Sequence, residues 1–220
     1  MSVPDTMRAV VCHGPHDYRL ERLPVPKVGP GEVLVRVRAA GVCASDVKTF
    51  LGAPRIWGGE GFPAYLKPPV IPGHEFVGEV VALGEGCDLA VGDKVVSEQI
   101  IPCWQCRYCR RGQYWMCQVH NIYGFQGGID DGAWAEYMRF PAGALNYRVP
   151  SNVPDEQAAL VEPLACAIHA VERGEIRLGD VVVIAGMGPI GLCMLQVARL
   201  QSPGLLVALD ARADRLARAA

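Results

Sequence analysis

Several absences narrow what this chain can be. It has no excess of charge of either sign: 21 lysines and arginines against 23 aspartates and glutamates leave a formal net charge of −2, so no basic face for nucleic acid is implied. Met1 to Val10 carries Asp5 and Arg8 and no apolar core, which does not read as a secretory signal. There are no internal repeats and no low-complexity segments. Long apolar runs are scarce. Val181 to Ala198 holds no charged residue and reaches the length that flags a transmembrane helix. However, Gly186, Gly188, Pro189 and Gly191 break it in the middle, and a β-branched run followed by a helical pattern reads as strand–turn–helix. No membrane span is expected. What is present is a chain of 220 residues, 50% hydrophobic and 20% charged, long enough for one or two domains with a core and not disordered.

Cysteine is plentiful, at nine. An odd count in a long chain, with four of the nine at metal spacing, points to a reducing cytosol and not to a secreted disulfide scaffold. Those four are Cys103, Cys106, Cys109 and Cys117, spaced C-x2-C-x2-C-x7-C. Four thiolates so close in sequence can surround one tetrahedral ion, and a closed four-thiolate site is structural. A bacterial ferredoxin run, C-x2-C-x2-C-x3-C-P, fails to match, because Gln118 follows the distant fourth cysteine. Arg107, Arg110 and Arg111 would offset a dianionic zinc–thiolate centre, or are solvated surface. A thiol redox pair of Cys103 and Cys106 is a third reading.

A second, open site can be built from Cys43, His74, Glu75 and Glu162, which are far apart in sequence. His74 follows the Pro72-Gly73 turn and precedes a carboxylate and a strand. Zinc takes a neutral imidazole nitrogen, and a neighbouring glutamate can ligate or orient. Cys43 lies in Gly41-Val42-Cys43-Ala44-Ser45-Asp46; alone it would equally suit a small buried residue.

The chain changes texture along its length. The first 150 residues are rich in Pro and Gly and read as short strands: Glu32 to Ala39, with Val33, Val35 and Val37 on one face, then Phe76 to Leu83 and Lys94 to Glu98. This predicts a compact β-rich domain, a distorted barrel, over residues 1–154, with the cysteine lobe at 98–120. Around Asp155 helices begin. Ala158 to Arg173 is predicted helical, with Pro163 as a kink or a new start. Val181–Ala185 reads as a buried strand, Ile190–Leu200 as a helix, Leu205–Leu209 as a second strand and Ala213 to Ala220 as a further helix, the start of a parallel α/β sheet over residues 155–220. A doubly wound domain has about six strands, so the chain is expected to be a fragment of a longer enzyme, on the order of 100 residues short at roughly 30 per unit. The run Gly186-Met187-Gly188-Pro189-Ile190-Gly191 follows the first of these strands and opens a helix, with Asp210 at the end of the second. That context marks a dinucleotide fingerprint: glycines let the backbone approach a pyrophosphate at a helix N-terminus. A carboxylate at Asp210 would accept ribose hydroxyls and repel a 2′-phosphate, which favours NAD over NADP. Arg212 softens that preference, and Arg215 either flanks the adenine or is solvated.

The pattern G-H-E-x2-G-x5-G-x2-C from Gly73 to Cys87, the upstream G-V-C-A-S-D and the four-cysteine lobe together resemble the zinc-containing medium-chain alcohol dehydrogenase family, from Met7 to Ala220. The resemblance implies a GroES-like distorted β-barrel catalytic domain followed by the start of a Rossmann parallel α/β domain, truncated here. It implies two zinc ions, one catalytic and one structural, with NAD as cofactor. Cys43 and His74 would be catalytic zinc ligands, with Glu75 adjacent. Glu162 stands where alcohol dehydrogenases place a cysteine, as in the polyol and threonine dehydrogenase branch; a helix cap is the plainer role. Ser45 would take the alcohol's proton, or simply cap a turn. Relatives carry histidine near position 48, where this chain has Lys48; His120 or His169 could substitute. The implied reaction is oxidation of a secondary alcohol, a polyol, with L-threonine or 2,3-butanediol as rival substrates and an inactive truncated zinc module as the rival class. The implied partners are a small alcohol and further copies of the chain, as dimer or tetramer, in the cytoplasm. Residues Leu51 to Pro69 would line or lid the pocket, or form a surface loop.

Overall fold

The structure, a computed structural model, describes residues 3–126 and 131–220. It divides into two compact units, Met1–Ala159 and Leu160–Ala220.

The first unit is built from β1 (Thr6–Gly14), β2 (Asp17–Pro24), β3 (Val33–Ala40), α1 (Ala44–Phe50), α2 (Pro54–Trp57), β4 (Phe76–Leu83), β5 (Lys94–Ser97), β6 (Ile100–Ile101), β7 (Asn121–Ile122), β8 (Tyr137–Phe140), β9 (Asn146–Arg148) and α3 (Asp155–Ala158). Its main sheet has five strands in the order β8-β3-β4-β5-β9, and every pairing in it is antiparallel. β1 and β2 form a hairpin, and β6 pairs with β7.

β3 departs from the simple alternation its sequence suggests. Val33 and Val35 enter one core cluster with Phe76, Val80, Tyr123, Met138 and Phe140. Leu34 is equally buried, in a second cluster with Met7, Ala9, Val11 and Ile71. β3 has apolar cover on both faces, from the main core on one and from β1 and Ile71 on the other, so its buried end reads as a continuous hydrophobic run. Two irregularities, at Leu34/Val35 and Val37/Ala39, shift its register against β4. Each fully buried Val or Phe there contributes roughly 1.5–3 kcal/mol.

α3 belongs to this unit. Asp155 accepts from Lys94 Nζ at 2.8 Å and Arg38 Nε at 3.1 Å, and Ala158 and Ala159 pack with Val77 and Val96. The division therefore falls after Ala159, five residues beyond the expected 154/155 boundary.

The second unit comprises α4 (Val161–Arg173), β10 (Val181–Ala185), α5 (Pro189–Leu200), β11 (Leu205–Leu209) and α6 (Ala213–Leu216). β10 and β11 are parallel, with Val181 opposite Leu205, and Val171, Ile184, Met187 and Ala198 form the core. This is the strand–helix–strand unit the sequence predicts. Pro163 marks a new start, not a kink: α4 begins at Val161, and a proline in the first turn lacks only an N–H that has no intrahelical partner. The last helix is shorter than expected and ends at Leu216. Among the described residues no helix is long and apolar enough to cross a membrane.

Candidate functional site

Among the described residues of the first unit, two groups of side chains that could hold a metal ion come together. The sulfurs of Cys103, Cys106, Cys109 and Cys117 all lie within 4.8 Å of one another. Cys106 and Cys109 are 3.5 Å apart, Cys103 and Cys109 3.9 Å. Four sulfurs about 2.3 Å from a tetrahedral zinc would stand ~3.8 Å apart, so the lobe fits the ion with little adjustment. Backbone N–H groups already face the sulfurs: Cys103 N donates to Cys117 Sγ at 3.4 Å, Cys106 N to Cys103 Sγ at 3.4 Å and Cys109 N to Cys106 Sγ at 3.5 Å. The N–H groups of Cys109 and Gln118 pull Cys106 down to about 6, while burial and the neighbouring thiols push Cys109 up to about 12. The sulfurs are also the lobe's interior, packed with Ile100, Tyr114 and Ile122. The redox reading of Cys103 and Cys106 gains no pairing that excludes the other two thiols.

The second group is Cys43, His74 and Glu75, whose ligand atoms lie within 4.8 Å of one another. Cys43 follows β3 and is the N-cap of α1. His74 and Glu75 precede β4. The two turns meet because Ala40 pairs with Phe76 at the end of the β3–β4 ladder, and Gly41 N–H continues it to the Glu75 carbonyl at 2.8 Å. His74 is only 4% exposed, and its Nδ1 is buried without a hydrogen-bond partner, 3.8 Å from Asp46 Oδ1. A ligating imidazole turns its second nitrogen toward a carboxylate; this leaves Nε2, 3.5 Å from Ser45 Oγ, as the nitrogen offered to a metal. Burial pushes the Cys43 thiol up from its ordinary value, and the charges of Glu75 and Asp46 add to that, against hydrogen bonds from Ser45. A thiolate there needs a cation beside it. Thiolate, imidazole and carboxylate are the donor types of an open zinc site.

Asp46 is a site residue to which the sequence reading gave no role. It is 4% exposed, and its Oδ2 accepts the Cys43 N–H at 2.8 Å, closing a capping box at α1. The signal was an acidic residue three after the N-cap. Phe125, whose ring centre is 5.9 Å from that of His74, carries no local signal. Ser45 sits inside α1, not at its cap: its carbonyl accepts from Thr49 Oγ1 at 2.8 Å, and its hydroxyl, which hydrogen-bonds Cys43, stands 3.5 Å from His74 Nε2.

Glu162 lies in the second unit, in the first turn of α4, where its Oε1 accepts from the Cys166 thiol at 3.5 Å. The convergence seen within the first unit therefore comprises three of the four expected ligands. Within the second unit, Gly188 is the N-cap of α5 and Pro189 its first residue, with Ile190 and Gly191 next. A Cβ at Gly191 would collide with the Gly186 carbonyl oxygen, so only glycine lets the helix start that close to β10. Asp210 closes the loop from the other side. Its Oδ2 accepts Met187 N–H at 2.7 Å and its Oδ1 accepts Arg212 N–H at 2.8 Å, and these donors hold the carboxyl below its usual range. Arg215 Nη1 stands 3.5 Å from Asp210 Oδ2, and Arg212 pairs with Asp214.

Comparison with known proteins bears on this geometry. Residues 29–151 match the alcohol dehydrogenase GroES-like domain. The chain is 54% identical over 218 residues to an erythritol/L-threitol dehydrogenase of Mycolicibacterium smegmatis, covering 97% of the chain and 60% of that protein. It is 42% identical over 181 residues to an L-threonine 3-dehydrogenase of Pyrococcus horikoshii, covering 82% of the chain and 49% of that protein. Among solved structures it is similar to 2R,3R-butanediol dehydrogenase of Bacillus subtilis, with a TM-score of 0.83 and 32% identity over 97% of the chain and 60% of the other. The chain thus spans 60% or less of the length of the relatives it matches.

Proposed function

The chain belongs to the zinc-containing medium-chain alcohol dehydrogenase family, and from that premise we propose that it supplies the metal-binding part and the first dinucleotide-binding segment of an enzyme that oxidises a secondary alcohol, a polyol, by hydride transfer to NAD. The observation that carries this reading is the meeting of Cys43, His74 and Glu75 within 4.8 Å, beside a separate four-thiolate cluster. Zinc held by such donors supplies Lewis acidity toward an alcohol, and NAD supplies the hydride acceptor. The remaining work falls to the chain. Cys43, His74 and Glu75 would hold the catalytic ion, and Cys103, Cys106, Cys109 and Cys117 the structural one. Asp46 fixes Cys43 through its N–H and faces the far side of the imidazole. Ser45 Oγ, 3.5 Å from His74 Nε2, would relay the alcohol's proton, taking it up as its own hydroxyl proton leaves to solvent. The loop Gly186–Gly191 leaves the first N–H groups of α5 open to a pyrophosphate, and Asp210 disfavours a 2′-phosphate there.

The polyol assignment draws on the likeness to an erythritol/L-threitol dehydrogenase; L-threonine and 2,3-butanediol are the competing substrates, by the same kind of likeness. The test is turnover by the full-length enzyme with NAD and a panel holding ethanol, L-threonine, 2,3-butanediol and polyols of four to six carbons. Highest kcat/KM on a polyol is expected. Ethanol turned over as well as any polyol, or L-threonine preferred, would remove the polyol reading. Metal analysis guards the enzyme reading itself: two zinc per chain with NAD binding is expected, whereas one zinc and no binding indicates an inert zinc module.

A further inference from the structure

Cys43 and His74 lie just beyond the end of the β3–β4 ladder, so something past that ladder must set the spacing between their turns. Gly41 N–H to the Glu75 carbonyl is the last main-chain link given by the ladder side. On the other side stands Trp134. Its indole Nε1–H donates to the Gly41 carbonyl at 3.0 Å, two residues before Cys43. The pyrrole atoms of its ring pack against Gly73, the residue before His74: a Cβ there would sit 2.5 Å from Trp134 Cδ1, and the Gly73 φ of +100° keeps that position glycine on backbone grounds as well. The Trp134 main chain is itself tied to the same turn. Its N–H donates to the Pro72 carbonyl at 2.9 Å, Ala133 N–H donates to the Gly73 carbonyl at 2.9 Å, and the Trp134 carbonyl accepts Val10 N–H at 2.8 Å. One side chain, rooted on the histidine turn, therefore reaches across to the cysteine turn.

We infer that Trp134 is a positioning residue for the open metal site, holding the Cys43 and His74 turns at ligating distance through its indole N–H to Gly41 and its ring on Gly73. The inference rests on the metal reading proposed above and adds to it a residue that touches neither metal nor substrate. Binding sites tolerate only about 0.5 Å of looseness before function suffers. A hydrogen bond that bridges the two ligand-bearing turns acts on that tolerance directly.

The experiment uses the full chain, stripped of metal and titrated with cobalt(II), whose visible bands distinguish the mixed site from the four-thiolate lobe. Trp134→Phe keeps a ring over Gly73 and deletes the N–H. Val33→Ala, in the buried core cluster at the opposite end of the β3–β4 ladder from both turns, serves as the stability control, with melting measured for both. The expected result is cobalt affinity at the mixed site lowered about 10- to 100-fold in Trp134→Phe, lobe affinity unchanged, and mixed-site affinity unchanged in Val33→Ala at equal or greater loss of melting temperature. Unchanged mixed-site affinity in Trp134→Phe overturns the inference. So does an equal loss in Val33→Ala, because the effect then follows global stability. A wild-type chain that takes up cobalt only in the lobe overturns the metal reading itself, which separates that failure from the failure of Trp134.

Discussion

Replacing Cys106 by serine should weaken zinc binding at the four-cysteine lobe while leaving the other metal site unchanged. Cys106 Sγ accepts Cys109 N–H at 3.5 Å and lies 3.5 Å from Cys109 Sγ; its pKa is pulled down to about 6, so it enters a metal site already near deprotonation. Structural zinc contributes about 10–16 kcal/mol in small thiolate sites. Shared over four ligands this is about 2.5–4 kcal/mol each, or roughly a 10²- to 10³-fold loss of affinity at about 1.4 kcal/mol per decade. The lobe has little else inside it, since its core besides the sulfurs is Ile100, Tyr114 and Ile122. It is pinned to the rest of the first unit by Trp104 Nε1 on the Gly143 carbonyl at 2.8 Å and by Tyr114 OH on Glu98 at 3.0 Å. These anchors do not order the loop between them. A competing chelator should therefore strip the lobe's zinc at a strength roughly 10²- to 10³-fold below that needed for the unmutated chain, and amide hydrogen exchange should then rise across 103–117 and stay low in β3 and β4. Full protection of 103–117 in a variant that has lost this zinc would refute the argument that the metal is the lobe's core.

Two further outcomes follow from single carboxylates. Asp210→Ala should lower the ratio of kcat/KM with NAD to that with NADP by at least about tenfold, worth about 1.4 kcal/mol, because it removes a negative charge beside Arg212 and Arg215; an unchanged ratio would show that Asp210 does not read the ribose. Asp155 is held below the usual carboxylate range by Lys94 first and Arg38 second. Its folded pKa lies under its unfolded value of about 3.9, so its stabilisation is present above that value and lost as pH falls through the folded one. Asp155→Asn should cost no more than about 1 kcal/mol at pH 7, since the ion pairs are partly open to water, and should flatten the acid limb of urea-unfolding stability below about pH 4. An acid limb as steep as that of the unmutated protein would count against the assignment.

How much was legible in the sequence depended on how far apart the interacting residues lie. The parallel strand–helix–strand of the second unit could be read because its glycines, Pro189 and Asp210 fall within one short stretch, each with a local backbone task. β1 and β2 were absent from the prediction although Met7, Ala9 and Val11 alternate in burial. β2 gives no matching signal, because none of its residues is buried and its apolar ones are not all turned inward: Leu20 is 71% exposed. β3 misled in the opposite way. Its valines suggested one buried face, whereas Met7, Ala9, Val11 and Ile71 cover the other face and bury Leu34 as well. No local pattern shows whether a strand's second face is covered until the elements packed on it are known.

The two metal groups make the same point in chemistry. The lobe's cysteines lie within 15 residues, counting Cys103 to Cys117, so spacing alone brings the sulfurs together. Cys43 and His74 are 31 positions apart and meet only because a strand pairing returns the chain beside itself. For them the sequence offers donor types but not distance. Trp134 is more remote still, 93 residues from Gly41, and nothing in its own neighbourhood marks it, because its effect runs through a carbonyl and a glycine that carry no chemistry of their own. A closed site built from local sequence depends on its metal to hold the loop together, which is why Cys106→Ser should make it easier to unravel. An open site built from distant turns depends on the scaffold to hold its ligands for the metal, so its affinity should respond to a change such as Trp134→Phe that leaves every ligand in place.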